Sequence, residues 1–177
     1  MIITISGDAG AGKSTAAGLV AGKLGYRHYS VGDFMREIAK KRKLTLLEVS
    51  RLAENDRGID TELDAMQKKL GNEEDGFVLD SRLGYHFIPK SFKVFLEVDT
   101  KEAARRIFAD KRKLERENRT LRDTEENIRQ RKKSEIQRYR KYYSLNPYDA
   151  GNYDLVLDTT KLTPEETAMK IIAALPK

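Results

Sequence analysis

Short apolar runs alternate along the chain with longer segments in which apolar residues recur at helical spacing. Apolar runs predict β-strands at residues 2–6, 77–80, 94–98 and 154–158, and a further short strand is predicted at residues 27–30. The segments between them predict helices at residues 13–24, 33–42, 45–54, 59–70, 100–113 and 124–143, with a closing helix from residue 164. Such alternation is typical of an α/β domain with a mainly parallel sheet.

Helix boundaries follow from residues that favour particular backbone positions. Gly25 and Gly71 each follow a helical segment, so we expect them to end the first and fourth helices. Thr100 is placed to cap the helix that begins there, and Thr163 followed by Pro164 opens the closing helix.

Composition narrows the class of protein. The 177 residues suit one domain, with 39% hydrophobic and 35% charged residues. No apolar run approaches the roughly 18 residues of a membrane span, so we expect no membrane partner. The chain has no cysteine, which excludes disulfides and thiolate metal sites and is in keeping with a cytoplasmic location.

Charge points to anionic partners. The net charge is +6, and residues 105–141 carry fifteen basic residues against seven acidic ones. Nucleotides, nucleic acids and acidic lipids are all anionic and could bind to such a basic surface. Aromatic residues do not alternate with the basic ones as in an RNA-binding platform, which makes nucleic acid a less favoured partner than small nucleotides.

A phosphate-binding motif lies between the first strand and the first helix. Residues 7–14 match the G-x-x-x-x-G-K-[ST] pattern at every fixed position. Backbone amides and the helix N-terminus would surround the ATP phosphates, and the lysine would neutralise the β- and γ-phosphates. The predicted ATP phosphate site comprises Gly7, Asp8, Ala9, Gly10, Ala11, Gly12, Lys13, Ser14 and Thr15.

A magnesium site is predicted beside this loop. The Ser14 hydroxyl is a ligand in such motifs, and Asp80, at the end of a buried strand, is placed to orient Mg²⁺ directly or through water. The alternative for Asp80 is a helix cap or a salt bridge with Arg82.

The stretch after the second predicted strand resembles the acceptor-binding segment of adenylate and cytidylate kinases. There, a Ser/Thr-x-Gly-Asp/Glu turn precedes an arginine that binds the acceptor phosphate, and residues 30–36 of this chain follow that order. The resemblance assigns acceptor binding to Ser30 and Arg36. The alternative for Arg36 is a solvated helix position.

The third and last strands resemble the cytidylate kinase family. Arg82 falls on the strand-end arginine of that family, although Ser81 replaces its usual glycine. Leu83 stands where the longer bacterial form has an aspartate, and in this position the chain resembles the short archaeal-type enzymes. Residues 152–159, with the sequence NYDLVLDT, resemble the last strand of the family. The resemblance covers nearly the whole chain and assigns Arg82 to the acceptor site.

The resemblance implies an α/β P-loop kinase with a five-stranded parallel sheet flanked by helices. Its core would comprise residues 1–30, 72–111 and 144–177. A helical acceptor-binding insert would occupy about residues 31–71, and a basic helical lid about residues 112–143. Asp60, with Asp64, is assigned to the base side of the acceptor site. Arg112 and Arg116 would contact adenine and the ATP phosphates, their alternative being a solvated helix face.

Helical geometry provides an independent argument for two catalytic arginines. At about 100° per residue, Arg131 and Arg138 lie within about 20° of each other. Two fixed cations on one face suit the charge of a phosphoryl-transfer transition state, so we assign catalysis to them and to Lys13. The alternative is that Glu135, between them, makes ordinary salt bridges with both.

The predicted activity is transfer of the γ-phosphoryl group of ATP to CMP, or dCMP, with Mg²⁺ and without a covalent enzyme intermediate. An adenylate kinase or a UMP/CMP kinase of broader range is the alternative within the class. A P-loop factor that acts on RNA or in ribosome assembly is the alternative outside it. We expect a monomer.

Overall fold

The computed structural model describes residues 1–55, 57–110 and 120–176, and it has an α/β architecture. The strands are β1 (Ile2–Gly7), β2 (Arg27–Ser30), β3 (Phe77–Asp80), β4 (Phe92–Glu97) and β5 (Leu155–Asp158). The helices are α1 (Lys13–Leu24), α2 (Val31–Arg42), α3 (Leu46–Asn55), α4 (Gly58–Glu73), α5 (Gly84–Phe87), α6 (Thr100–Asp110), α7 (Leu121–Tyr143) and α8 (Pro164–Ala173).

The five strands form one parallel sheet in the order β2-β3-β1-β4-β5. This confirms the predicted parallel sheet. The chain order reverses beside β1, which pairs with β3 on one side and β4 on the other. In such sheets, ligands bind at the carboxyl ends of the strands next to this reversal. The first three strands end there at Gly7, Ser30 and Asp80.

Two hydrophobic clusters cover the sheet. One joins α1, α6 and α8 to the strands and includes the fully buried Ile3, Ile5 and Leu96. The other joins α2, α3 and α4 to β3 and contains Phe77 and Leu79, which are also fully buried. Central strands with both faces covered are expected to be continuously apolar, which is the pattern seen in the sequence.

The predicted end of the fourth helix is wrong. Helix α4 continues through Gly71 to Glu73. A side-chain carbon at Gly71 would lie 2.9 Å from Cγ1 of Ile88, so the glycine permits close packing of Ile88 against the helix. The glycine therefore serves contact between elements and does not terminate the helix.

The cap of α6 and the starts of α2 and α7 differ from the predictions. Asp99, and not Thr100, caps α6, because its carboxylate accepts hydrogen bonds from the amides of Lys101 (2.9 Å) and Glu102 (3.2 Å). Helix α2 begins at Val31, two residues before its predicted start, and α7 begins at Leu121, three residues before its own. The short helix α5 was not predicted.

The closing helix confirms its prediction. Pro164 is in its first turn, and Thr163 and Glu166 form a reciprocal capping box at distances of 2.8 and 3.1 Å. Among the described residues, no helix has both the length and the apolar character that crossing a membrane requires.

Candidate active site

A cavity opens at the carboxyl edge of the sheet, between the phosphate loop, α2, α4 and α7. Its lining contains basic side chains from four parts of the chain: Lys13, Arg36, Arg82, Arg131 and Arg138. It also contains acidic ones: Asp60, Asp64, Asp80 and Glu135. The structure thus brings together most of the side chains that the sequence assigned to separate roles.

The phosphate loop turns sharply from β1 into α1. Gly7 has φ of +145°, and a side chain there would collide with the backbone carbonyl of Leu96 on β4. Only glycine therefore allows β1 to end so close to β4. The loop then delivers Gly12 to the N-terminus of α1, where the first backbone amides of a helix attract anions.

Lys13 lies at the start of α1 and lines the cavity. Its Nζ donates a hydrogen bond of 2.6 Å to the backbone carbonyl of Asp8, within the loop itself. Burial, and secondarily the positive charge of Arg82, lower the pKa of Lys13 to about 7, although Asp80, Glu135 and Asp8 act in the opposite direction. An incoming anion would strongly favour the charged form of this ammonium group.

Three oxygen-bearing side chains meet at the end of β3. The carboxylate of Asp80 accepts a short hydrogen bond from the Ser14 hydroxyl and one of 3.2 Å from the Ser30 hydroxyl. Asp80 and Ser30 are both buried. Carboxylate and hydroxyl oxygens are the ligands that Mg²⁺ prefers, so the chemistry of these residues fits a magnesium ion.

Arg82 connects the sheet edge to α7. Its guanidinium donates a short hydrogen bond to the carbonyl of Gly7, and its Nε lies 2.8 Å from Oε2 of Glu135. The bridge with Arg82 that was considered for Asp80 therefore goes to Glu135 instead.

Arg131 and Arg138 line the same cavity from α7, as their helical spacing requires. Arg138 is only 4% exposed, with its Nε 3.4 Å from Oδ2 of Asp60 and its Nη2 donating to the Tyr139 hydroxyl at 2.9 Å. Asp60 is equally buried, and this burial raises its pKa, although the charge of Arg138 opposes the shift. The pair joins α7 to α4 at the cavity wall.

Glu135 is buried between these arginines but reaches beyond its own helix. Its carboxylate accepts a hydrogen bond of 2.6 Å from the Tyr148 hydroxyl besides pairing with Arg82. Burial alone would raise the pKa of Glu135, but the charges of Arg82 and Arg131 and the Tyr148 bond lower it. The carboxylate is therefore ionised at neutral pH.

Arg36 lies at the α2 side of the cavity and forms a short ion pair with Asp33. Its side chain is 27% exposed, so it is neither buried nor fully solvated. The predicted lid residues Arg112 and Arg116 lie outside the described residues.

A second cavity adjoins the other side of the phosphate loop and was not predicted. It is lined by residues of the loop, the end of α6 and the segment after β5, among them Thr15, Arg106, Asp110, Thr159 and Leu162. Arg106 holds this segment by donating to the carbonyls of Thr159 (2.9 Å) and Thr160 (3.1 Å). The sequence signal was the motif of the last strand, which ends at this cavity.

Comparison with known proteins bears on the class of this site. A family model described as the cytidylate kinase-like family matches residues 2–161. The chain belongs to the cytidylate kinase-like family. Among curated relatives, the cytidylate kinase of Natronomonas pharaonis is 40% identical, with 93% of this chain and 84% of the relative covered. The cytidylate kinase of Methanothermobacter thermautotrophicus is 37% identical, with 93% and 99% covered.

Solved structures agree on the fold. The shikimate kinase from Acinetobacter baumannii, solved with shikimate, has a TM-score of 0.63 at 20% identity and covers 97% of this chain and 90% of its own. A protein from Eubacterium ventriosum has a TM-score of 0.71 at 19% identity, with 98% and 96% covered. Family membership and the P-loop kinase fold together indicate an enzyme of the nucleoside monophosphate kinase type.

Proposed function

We propose that this cytidylate kinase-like protein transfers the γ-phosphoryl group of ATP to CMP, or dCMP, in the presence of Mg²⁺. The observation that carries the proposal is the convergence of Lys13 and four arginines on one cavity beside a phosphate loop. A single bound triphosphate would need cations only beside its own phosphates. Two phosphorylated substrates placed end to end would need cations around both sets of phosphates, as this cavity provides. The names of the curated relatives support a cytidine nucleotide as the acceptor.

The donor half is the phosphate loop with its two flanking cavities. Residues 7–15 and Lys13 would bind the ATP phosphates through backbone amides, the α1 N-terminus and one ammonium group. The second cavity, beyond Thr15, would receive the nucleoside of ATP. Ser14 and Asp80 would hold Mg²⁺, which supplies charge neutralisation at the phosphate oxygens.

The acceptor half would lie between α2, α4 and α7, with α2–α4 as the acceptor-binding insert and α7 as part of the lid. Arg36 and Arg82 would bind the acceptor phosphate, with Ser30 at its base. The carboxylates of Asp60 and Asp64 line the same cavity. A carboxylate accepts a hydrogen bond from the exocyclic amine of cytosine but is repelled by the carbonyl oxygen that uracil carries there.

The transfer would be direct. An oxygen of the acceptor phosphate forms the bond to the γ-phosphorus while the bond from that phosphorus to the β-phosphate bridging oxygen breaks, and its electron pair leaves with ADP. The acceptor oxygen is already anionic, so no general base is required. Lys13, Arg131 and Arg138 would neutralise charge on the transferring group, and closure of α7 would exclude water.

An acceptor panel tests this proposal. Purified protein with ATP is given CMP, dCMP, UMP, AMP and GMP, with and without Mg²⁺, and ADP formation is measured by a coupled assay. We expect the highest kcat/KM with CMP or dCMP and loss of activity on chelation. Highest activity with AMP or UMP would favour the broader kinases. Salt-dependent RNA binding without phosphorylation of any mononucleotide would favour the RNA-acting factor.

Binding of ATP is expected to take up a proton above neutral pH. With its pKa at about 7, Lys13 is mostly neutral at pH 8 in the free protein, whereas contact with phosphates favours the charged form. Up to one proton per bound Mg·ATP is therefore expected at pH 8, and none from this group at pH 6. Calorimetric titrations in buffers of different ionisation enthalpy measure this number. Equal uptake at both pH values would contradict the assignment.

A further inference from the structure

Tyr148 lies in the segment between α7 and β5 and contacts α7. Its hydroxyl donates a hydrogen bond of 2.6 Å to Oε2 of Glu135, and its ring lies 4.3 Å from Nζ of Lys132 on the same helix. Tyr148 does not line the cavity itself among the described residues, so its contact with the site passes through these two side chains.

The segment that carries Tyr148 is fixed by its own hydrogen bonds. The side-chain oxygen of Asn146 accepts a hydrogen bond from the Tyr148 amide (3.2 Å). The backbone carbonyl of Asn146 accepts another from the side-chain amide of Asn152 (3.1 Å). The Tyr153 hydroxyl donates to the Pro147 carbonyl at 2.6 Å. The phenol of Tyr148 is therefore presented to α7 from an ordered support.

Glu135 connects this ordered segment to the phosphate loop. The carboxylate oxygen that accepts from Tyr148 also pairs with Arg82, and Arg82 in turn donates to the carbonyl of Gly7. A parallel link runs from Lys132 to the Asp8 carboxylate at 2.9 Å. Two side chains of α7 thus hold the phosphate loop, and Tyr148 contacts both.

We propose that Tyr148 is a positioning residue for phosphoryl transfer, acting through Glu135 to orient the Arg82 guanidinium and to set α7 against the phosphate loop. The inference rests on the proposed function. Without the phenol, the Glu135 carboxylate is free to rotate towards Arg131 and Arg138, and Arg82 loses its fixed partner. Because Arg82 would bind the acceptor phosphate, its displacement by a fraction of an ångström would misalign the attacking oxygen, which reduces turnover more than binding.

The first test replaces Tyr148 by phenylalanine. We expect kcat with CMP and ATP to fall on the order of tenfold, with both KM values changed less than about threefold. The matched control is Tyr29→Phe. The Tyr29 hydroxyl donates at 2.8 Å to Glu74, which also pairs with Arg27 at 3.0 Å, so the same chemical contact is removed away from the cavity. That variant is expected to keep the kcat of the parent protein.

A double-mutant cycle tests the route through Glu135. Tyr148→Phe added to Glu135→Ala is expected to cause no further loss of kcat, because the acceptor of the bond is already absent. If Glu135→Ala does not fold, Glu135→Asp replaces it, since the shorter carboxylate cannot reach Tyr148 and Arg82 together.

Three results would overturn the inference: a Tyr148→Phe variant with parental kcat, an equal loss in Tyr29→Phe, or full additivity in the cycle. Parental protein that phosphorylates no nucleotide would instead reject the proposed function.

Discussion

Replacing Lys13 by alanine is expected to lower kcat by about 10³-fold or more while the protein stays folded. The Lys13 ammonium group is the cation contributed by the phosphate loop, and its Nζ is held by the Asp8 carbonyl at 2.6 Å. No neighbouring side chain of the loop carries a positive charge that would replace it. Steady-state rates with saturating ATP and CMP measure the loss.

Lys23→Ala is the matched control, because Lys23 belongs to the same helix but is exposed. Its turnover is expected to be that of the parent protein. Thermal unfolding should show no decrease in Tm for Lys13→Ala, since burial of the ammonium group is already unfavourable enough to lower its pKa to about 7. Near-normal turnover of Lys13→Ala would exclude Lys13 from catalysis.

The parts of the fold that were predicted are those with a local signal. The bounds of α1 and β3 agree with the sequence pattern, since the apolar residues lie within these elements and Gly25 directly follows α1. The end of α4 was mispredicted because the reason for Gly71 lies elsewhere in the chain, at Ile88, just after α5. A glycine required for packing and one required for a helix end look alike in a single sequence.

The same distinction applies to the site. The phosphate loop is contiguous, and the spacing of Arg131 and Arg138 within one helix was enough to place both at one cavity. The partners of Glu135 could not be predicted in this way. The alternative considered for Glu135 was pairing along its own helix, but it also contacts Arg82, just after β3, and Tyr148, in the segment before β5. Only the sheet topology brings them together.

Three of the arginines that line the cavity are paired with carboxylates. Arg36 pairs with Asp33, Arg82 with Glu135 and Arg138 with Asp60. An ammonium or guanidinium group buried without a partner would cost several kcal/mol, so the pairing keeps the cationic cluster stable before substrates bind. Substrate phosphates would then compete with these carboxylates, which favours ligands carrying several negative charges.

Arg138 allows this competition to be tested, because it is the most buried of the paired arginines. Replacing it by alanine is expected to lower kcat on the order of 10³-fold if it stabilises the transferring phosphoryl group. The same change leaves Asp60 buried beside a vacated position, so the free energy of unfolding should also fall, by about 3–5 kcal/mol. If Arg138 served only as a structural salt bridge, the free energy of unfolding would fall and kcat would not change.

Chemical rescue separates the two roles of Arg138. Guanidinium ion added at low, non-denaturing concentration is expected to restore part of the kcat of Arg138→Ala, because it can occupy the space beside Asp60 and supply the missing charge at the cavity. Arg129→Ala is the control on the same helix, since Arg129 is exposed and pairs with Glu125 at 3.2 Å. That variant should keep its activity and gain nothing from guanidinium. Arg138→Ala with parental kcat per folded molecule would assign Arg138 to stability alone and leave Arg131 as the catalytic arginine of α7.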